Sequence, residues 1–184
     1  MPSSFRQGDV LLKAKMYVVG EDADVAEKQN KGAIEFLMGD WIVVSNSCDL
    51  EQGRARFVLL AAVVPLKEVL KGQTEKEFNE VAELVRRGMR PALFMLAECE
   101  QVGLSRSVVN FREIVSVPHA IVRRAASSVG VVRMNPPFRE KLGQAMADYL
   151  GSVGIEAEDQ VTPFLPKTFH PAQQLRGADK LDEG

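Results

Sequence analysis

Short apolar, β-branched runs recur along the chain, and only two stretches carry the three-to-four spacing of an amphipathic helix. Gly8-Asp9-Val10-Leu11-Leu12 predicts a first strand following a turn. Residues 21 to 32 are polar and charge-mixed between Gly20 and Gly32, which predicts a long loop or a short surface helix. Trp41-Ile42-Val43-Val44 is apolar without alternation, the pattern of a strand covered on both faces. Gly53 marks a turn, and Phe57-Val58-Leu59-Leu60-Ala61-Ala62-Val63-Val64 predicts the next strand.

Thr74-Glu75-Lys76-Glu77 has the form of a capping box, and Phe78, Val81, Ala82, Leu84 and Val85 follow at helical spacing. With Gly88 as a stop, the pattern predicts a helix over 74–87. Strand character returns at Ala92-Leu93-Phe94-Met95-Leu96-Ala97. It returns again at Ser107-Val108-Val109-Asn110-Phe111 and at Glu113-Ile114-Val115-Ser116-Val117, with Pro118 as terminator. Val129-Gly130-Val131-Val132-Arg133 is one more short candidate strand. A second helix is expected from Asn135-Pro136-Pro137 to about residue 153. Its face is Phe138, Leu142, Ala145, Met146, Tyr149 and Val153, and Gly154 is its stop. From about residue 156 the chain is punctuated by Pro163, Pro166 and Pro171. This predicts a tail that docks through Phe164, Leu165 and Phe169 and then frays.

Short strands, an inserted helix and a closing helix suggest a small barrel, not a βαβ array. The order of landmarks resembles the MazF/PemK toxin family, whose fold is SH3-like. Gly8-Asp9-Val10 opens the first strand, Ile42-Val43-Val44-Ser45 is an apolar strand ending in Ser, and Val64-Pro65-Leu66 closes the next. The late strands 107–117 and the helix at 137–153 continue the likeness, which spans about residues 5 to 153. The resemblance implies an α+β protein with a small SH3-like (PemK-type) β-barrel over 1–155, a helical insertion at about 74–87, a closing helix at about 136–153 and a tail over 156–184. The chain departs from the family's ribonuclease pattern at two places. Phe36-Leu37-Met38-Gly39-Asp40 precedes Trp41 without an Arg, and Lys67-Glu68 follows Pro65-Leu66 without a hydroxyl, so the family's catalytic residues have no counterparts. The chain also resembles a group of uncharacterised bacterial proteins with a Ser-x-x-Cys-Asp-Leu segment and a Pro-Pro-x-Arg-Glu-x-Leu helix start, here at 45–50 and 136–142.

Composition adds bounds. A chain of 184 residues, 46% apolar, can bury a sizeable core. A net charge of −2 argues against a broad, non-specific grip on nucleic acid. Cys48 and Cys99 alone make no disulfide framework. Met1–Gln7 lacks the apolar core of a signal peptide, and no apolar run approaches the roughly 20 residues needed to cross a bilayer. The expectation is a cytoplasmic protein with reduced thiols and no membrane partner.

Candidate chemistry concentrates at Ser45-Asn46-Ser47-Cys48-Asp49-Leu50, where polar and reactive groups follow directly on a buried strand. A Cys48 thiolate would serve as nucleophile or metal ligand, but it needs a nearby cation, and Asp49 works in the opposite direction. The plainer reading is that Cys48 packs as a small hydrophobe while Asp49 caps the turn at Gly53. Cys48, Asp49, Cys99, His119 and His170 are possible metal donors, with Glu98 and Glu100 beside Cys99, but no zinc-type spacing joins them. No cofactor motif is present, and neither His sits near Ser45 or Ser47 as a hydrolase triad would need. Arg86, Arg87, Arg90, Arg106, Arg112, Arg123, Arg124 and Arg133 would grip phosphates if gathered on one face, or else pair with some of the 25 acidic residues.

Two functions follow as expectations. One is a non-catalytic interaction or regulatory protein of bacterial or phage type, linked to toxin–antitoxin or defence systems. The other is a divergent endoribonuclease acting on single-stranded RNA, with Ser47, Cys48, Asp49 and Arg54 as its site and the arginine stabilising a phosphorane-like charge. A Cys/His/Asp metalloprotein ranks third. The partner would be a protein or RNA, and the barrel likeness suggests a homodimer.

Overall fold

The computed structural model describes residues 5–19, 34–52 and 54–151. The sheet begins with a long antiparallel arm, β1 (Asp9–Val19) against β2 (Ile34–Val43). Its ladder slips between Leu11 and Ala14, where Lys13 takes a left-handed φ of 51° and its N–H donates to Asp40 Oδ1 at 2.7 Å. This bulge lets Leu11 and Ala14 both reach one core, as bulges commonly re-aim side chains. After the short helix α1 (Ser47–Glu51) come β3 (Phe57–Pro65), a single turn α2 (Leu66–Val69) and α3 (Glu75–Arg86). Then follow β4 (Leu93–Leu96), a 3₁₀ turn at Glu100–Val102, β5 (Ser107–Pro118), α4 (His119–Val129), β6 (Val132–Arg133) and α5 (Phe138–Gly151). The protein is therefore α+β. The six strands among the described residues run in the order β4-β5-β3-β2-β1-β6, every pair antiparallel. The end strands β4 and β6 do not pair with each other, so the sheet is open.

The unalternating apolar runs make sense because both faces of the sheet are covered. Trp41, Val43, Val58 and Leu60 face a core closed by Val122 and Ala126 of α4. Their neighbours Ile42, Ala61 and Val63 face a second core closed by Leu142 of α5. Trp41 keeps its indole N–H satisfied by donating to the Ala14 carbonyl at 3.2 Å. A smaller cluster of Leu66, Leu70, Val85 and Val108 seats α3 on the outer strands. The capping box forms as expected: Thr74 Oγ1 accepts from the Glu77 N–H, and Glu77 Oε2 accepts from the Thr74 N–H at 2.8 Å.

Four expectations are corrected. The two late strand segments are one strand, β5, because a bulge absorbs residues 111–113: Ala61 pairs with Ile114 and the adjacent Ala62 with Asn110. Residues 119–129 form α4, which runs up to the stretch from Val129 expected to be a strand; only Val132–Arg133 pairs there. Phe138 leaves the apolar face of α5 and is exposed, while Leu142, Ala145, Met146 and Tyr149 keep to it. Phe36–Asp40, read as the lead-in to a strand, already belongs to β2. The expectations for residues 20–33, Gly53, Val153, Gly154 and the tail from 156, including His170, lie outside the described residues. No described helix is long and apolar enough to cross a membrane.

Candidate functional site

The segment singled out by its chemistry is built mainly as a joint. Asn46 is the N-cap of α1, and its Oδ1 accepts from the Cys48 N–H at 2.9 Å. Ser45 Oγ accepts from the Leu59 N–H at 2.8 Å, which holds β3 against the end of β2. Ser47 Oγ accepts from the Gln7 N–H at 3.0 Å, and Gln7 Nε2 donates to the Val44 carbonyl at 3.0 Å. Leu50 is buried and anchors the helix in the core beneath. Cys48 is exposed, so the reading of it as a packed hydrophobe is corrected: Leu50 takes the inward position two residues later, and Cys48 faces solvent. Asp49 and Arg54 are exposed as well, and the Asp49 carbonyl accepts from the Arg54 N–H at 3.0 Å. Ser47, Cys48, Asp49 and Arg54 thus sit on one short stretch, with Ser47 half-buried and already used as an acceptor.

Beneath α1 lies a charged joint whose partners are far apart in sequence. Asp9 is fully buried and accepts from Arg133 through Nε at 2.7 Å and Nη2 at 2.9 Å. The Arg6 N–H adds a third bond to Asp9 Oδ2 at 2.9 Å. Hydrogen bonding to the Asp9 carboxylate raises the Arg133 pKa, with burial acting the other way. Gly8 between them has a φ of 82°, and a Cβ there would meet Met134 Cβ at 3.1 Å, so the turn requires glycine. Arg6 also pairs with Glu51 at 2.7 Å, tying α1 to the same turn. The Gly-Asp-Val landmark is therefore the clasp that fixes β6 onto β1.

A deep groove lies elsewhere. It has a volume of about 1050 Å³ and is lined by all four residues of β4 and by Val132 and Arg133 of β6, the two ends of the open sheet. The C-terminal half of α3 and the side of α5 that carries Phe138, Lys141, Ala145 and Asp148 supply its other walls. Five cations line it (Arg86, Arg87, Arg106, Arg133 and Lys141) against three carboxylates (Glu83, Glu98 and Asp148). Glu83 is held at 2.6 Å by both Arg86 and Arg87, and these hydrogen bonds pull its pKa down to about 2. Among the described residues Arg106 and Lys141 form no ion pair; the Lys141 ammonium instead lies 5.6 Å from the centre of the Phe138 ring.

Four of the eight arginines noted in the sequence, Arg86, Arg87, Arg106 and Arg133, converge on this groove, while Arg90, Arg112, Arg123 and Arg124 do not line it. Ser47, Cys48, Asp49 and Arg54 do not line it either. Glu98 and Cys99 do, but among the described residues no three His, Cys, Asp or Glu side chains gather as a metal site. His119 begins α4 and meets the Phe5 ring edge-on, with centroids 5.6 Å apart. Sequence reasoning missed the groove because its walls come from both ends of the sheet. The shortness of the runs at 93–96 and 132–133, which marks edge strands, was the available signal. No family model matches the chain, and no curated protein matches it.

Proposed function

We propose that the protein is a non-catalytic interaction or regulatory module whose working surface is the groove between β4 and β6. The observation that carries this reading is the meeting of the two end strands of the sheet at one concavity with an apolar floor and a mixed-charge rim. In this reading the sheet is an SH3-like, PemK-type barrel left open along one seam, and the seam is where a partner sits. The order of landmarks from Gly8-Asp9-Val10 to the closing helix supports a setting among bacterial or phage toxin–antitoxin or defence systems.

A second reading has its own observation. Cys48, Asp49 and Arg54 are exposed together beside Ser47, on one short stretch at the end of a buried strand. A divergent endoribonuclease would use Asp49 to move the proton of the attacking 2′-hydroxyl and Arg54 to balance charge on the phosphorane. Induced expression in a bacterial host, with growth followed and RNA ends mapped beside an Asp49→Asn control, separates the two. Normal growth with intact RNA is expected for the interaction module. Arrest with discrete cuts, lost in the control, would overturn it.

A further inference from the structure

We infer that the groove binds a small amphipathic monoanion, an aliphatic carboxylate whose chain covers the apolar floor and whose head group pairs with the cationic rim. This rests on the interaction reading and deepens it: the ligand regulates the site by filling the space where a partner sits. At about 1050 Å³ the groove is as large as small-molecule sites commonly are, and such sites are mostly apolar with a few polar groups. Val10, Leu96 and Leu104 of its floor are buried. Phe94, Cys99, Val132, Met134 and Ala145 are only half-buried, so among the described residues each leaves apolar surface uncovered in the concavity. Covering that surface drives the binding of an aliphatic chain.

The charges around the floor decide the head group. Five cations line the walls with three carboxylates, and one of the five, Arg133, is committed to the buried Asp9 by two hydrogen bonds. With Asp9 added to the carboxylates, the walls keep a single positive charge in excess. A monoanion balances that excess. A cation is opposed by it, and a continuous polyanion such as single-stranded RNA overshoots it and meets Glu98 and Asp148. Glu83 is already held by Arg86 and Arg87, whereas Arg106 and Lys141 form no ion pair among the described residues. Lys141 lies 5.6 Å from the centre of the exposed Phe138 ring, a weak contact that a carboxylate readily replaces.

The two cysteines of the chain supply a readout with its own control, because Cys99 lines the groove and Cys48 faces solvent on α1. Calorimetric titration of the purified full chain with octanoate, decanoate and decyltrimethylammonium tests the inference, with N-ethylmaleimide alkylation of each cysteine followed by mass spectrometry. Decanoate should bind, slow the alkylation of Cys99 and leave that of Cys48 unchanged. Its affinity should fall about fourfold for each methylene removed. Arg106→Gln with Lys141→Gln should weaken it about tenfold. Ala97→Trp, at an exposed position in the groove wall, should abolish it without disturbing the core. Absence of decanoate binding would overturn the inference, as would decyltrimethylammonium binding as tightly or oligouridine displacing decanoate. Equal slowing at both cysteines, or binding that survives Ala97→Trp, would place the ligand outside the groove and overturn it too. The interaction reading would still stand in each case, because it is judged by growth and RNA integrity in the induction experiment.

Discussion

The joint at α1 and the groove between β4 and β6 both carry polar and ionisable side chains, but they use them in opposite ways. At α1 the oxygens of Ser45, Asn46 and Ser47 each accept a backbone N–H, so the group that looks most reactive in sequence largely serves to hold strands together. In the groove, Arg106 and Lys141 form no ion pair among the described residues, and the two end strands of the sheet do not pair with each other. Polar groups satisfied within the chain contribute stability, and those left over are the ones open to a partner. The comparison teaches that a polar cluster at a strand end is weak support for a site until its hydrogen bonds are counted.

The comparison breaks most sharply at α5, a groove wall with one fully buried side chain. Leu142 is fully buried beneath α5, and Leu142→Ala should cost about 3 kcal/mol, read by urea unfolding. The same variant should lose groove ligands without altering α1. Asp9→Asn is expected to cost about 2 kcal/mol, because it weakens the bidentate bond to Arg133 in a buried setting. That figure sits below the range for fully buried pairs because Arg133 is partly exposed.

Smaller effects sharpen the contrast within α1 itself. Ser47→Ala leaves the Gln7 N–H without its acceptor and should cost about 1 kcal/mol. Cys48→Ala and Asp49→Asn should stay within about 0.5 kcal/mol of the parent by the same measurement. Equal losses at 47 and 48 would show that the hydrogen-bond count at this joint is wrong. The smallest effect lies on the rim. Glu83 should titrate near 2 by NMR, below its ordinary 4.5, because Arg86 and Arg87 stabilise its charged form. Since the folded pKa is lowered, the stabilisation is present above the unfolded value and is lost as pH falls through about 2. In the Arg86→Gln, Arg87→Gln double variant, Glu83 should return toward 4.5.

What was legible in the sequence was local. The Thr74 capping box and the helix behind it need only four neighbouring residues and a period, and both are present as read. Trp41–Val44 read as covered on both faces, and all four residues are buried. α4 had a readable signal in Ile121, Val122, Ala125 and Ala126, an i, i+4 pattern obscured by the serines and β-branched residues around it. The clasp of Asp9 to Arg133 had none, because its partners are 124 positions apart and meet only once β6 pairs with β1. The groove is invisible for the same reason. It is made where the sheet stops, and no short window of residues shows which strands end up at the edges.

The most direct measurement places a photoactivatable benzophenone side chain at position 98, in the groove, and in a second protein at position 48, on α1. Irradiation in cells should give a discrete adduct from position 98 that disappears with Arg106→Glu, and none from position 48. An adduct from position 48 with none from position 98 would contradict the assignment of binding to the open seam of the sheet.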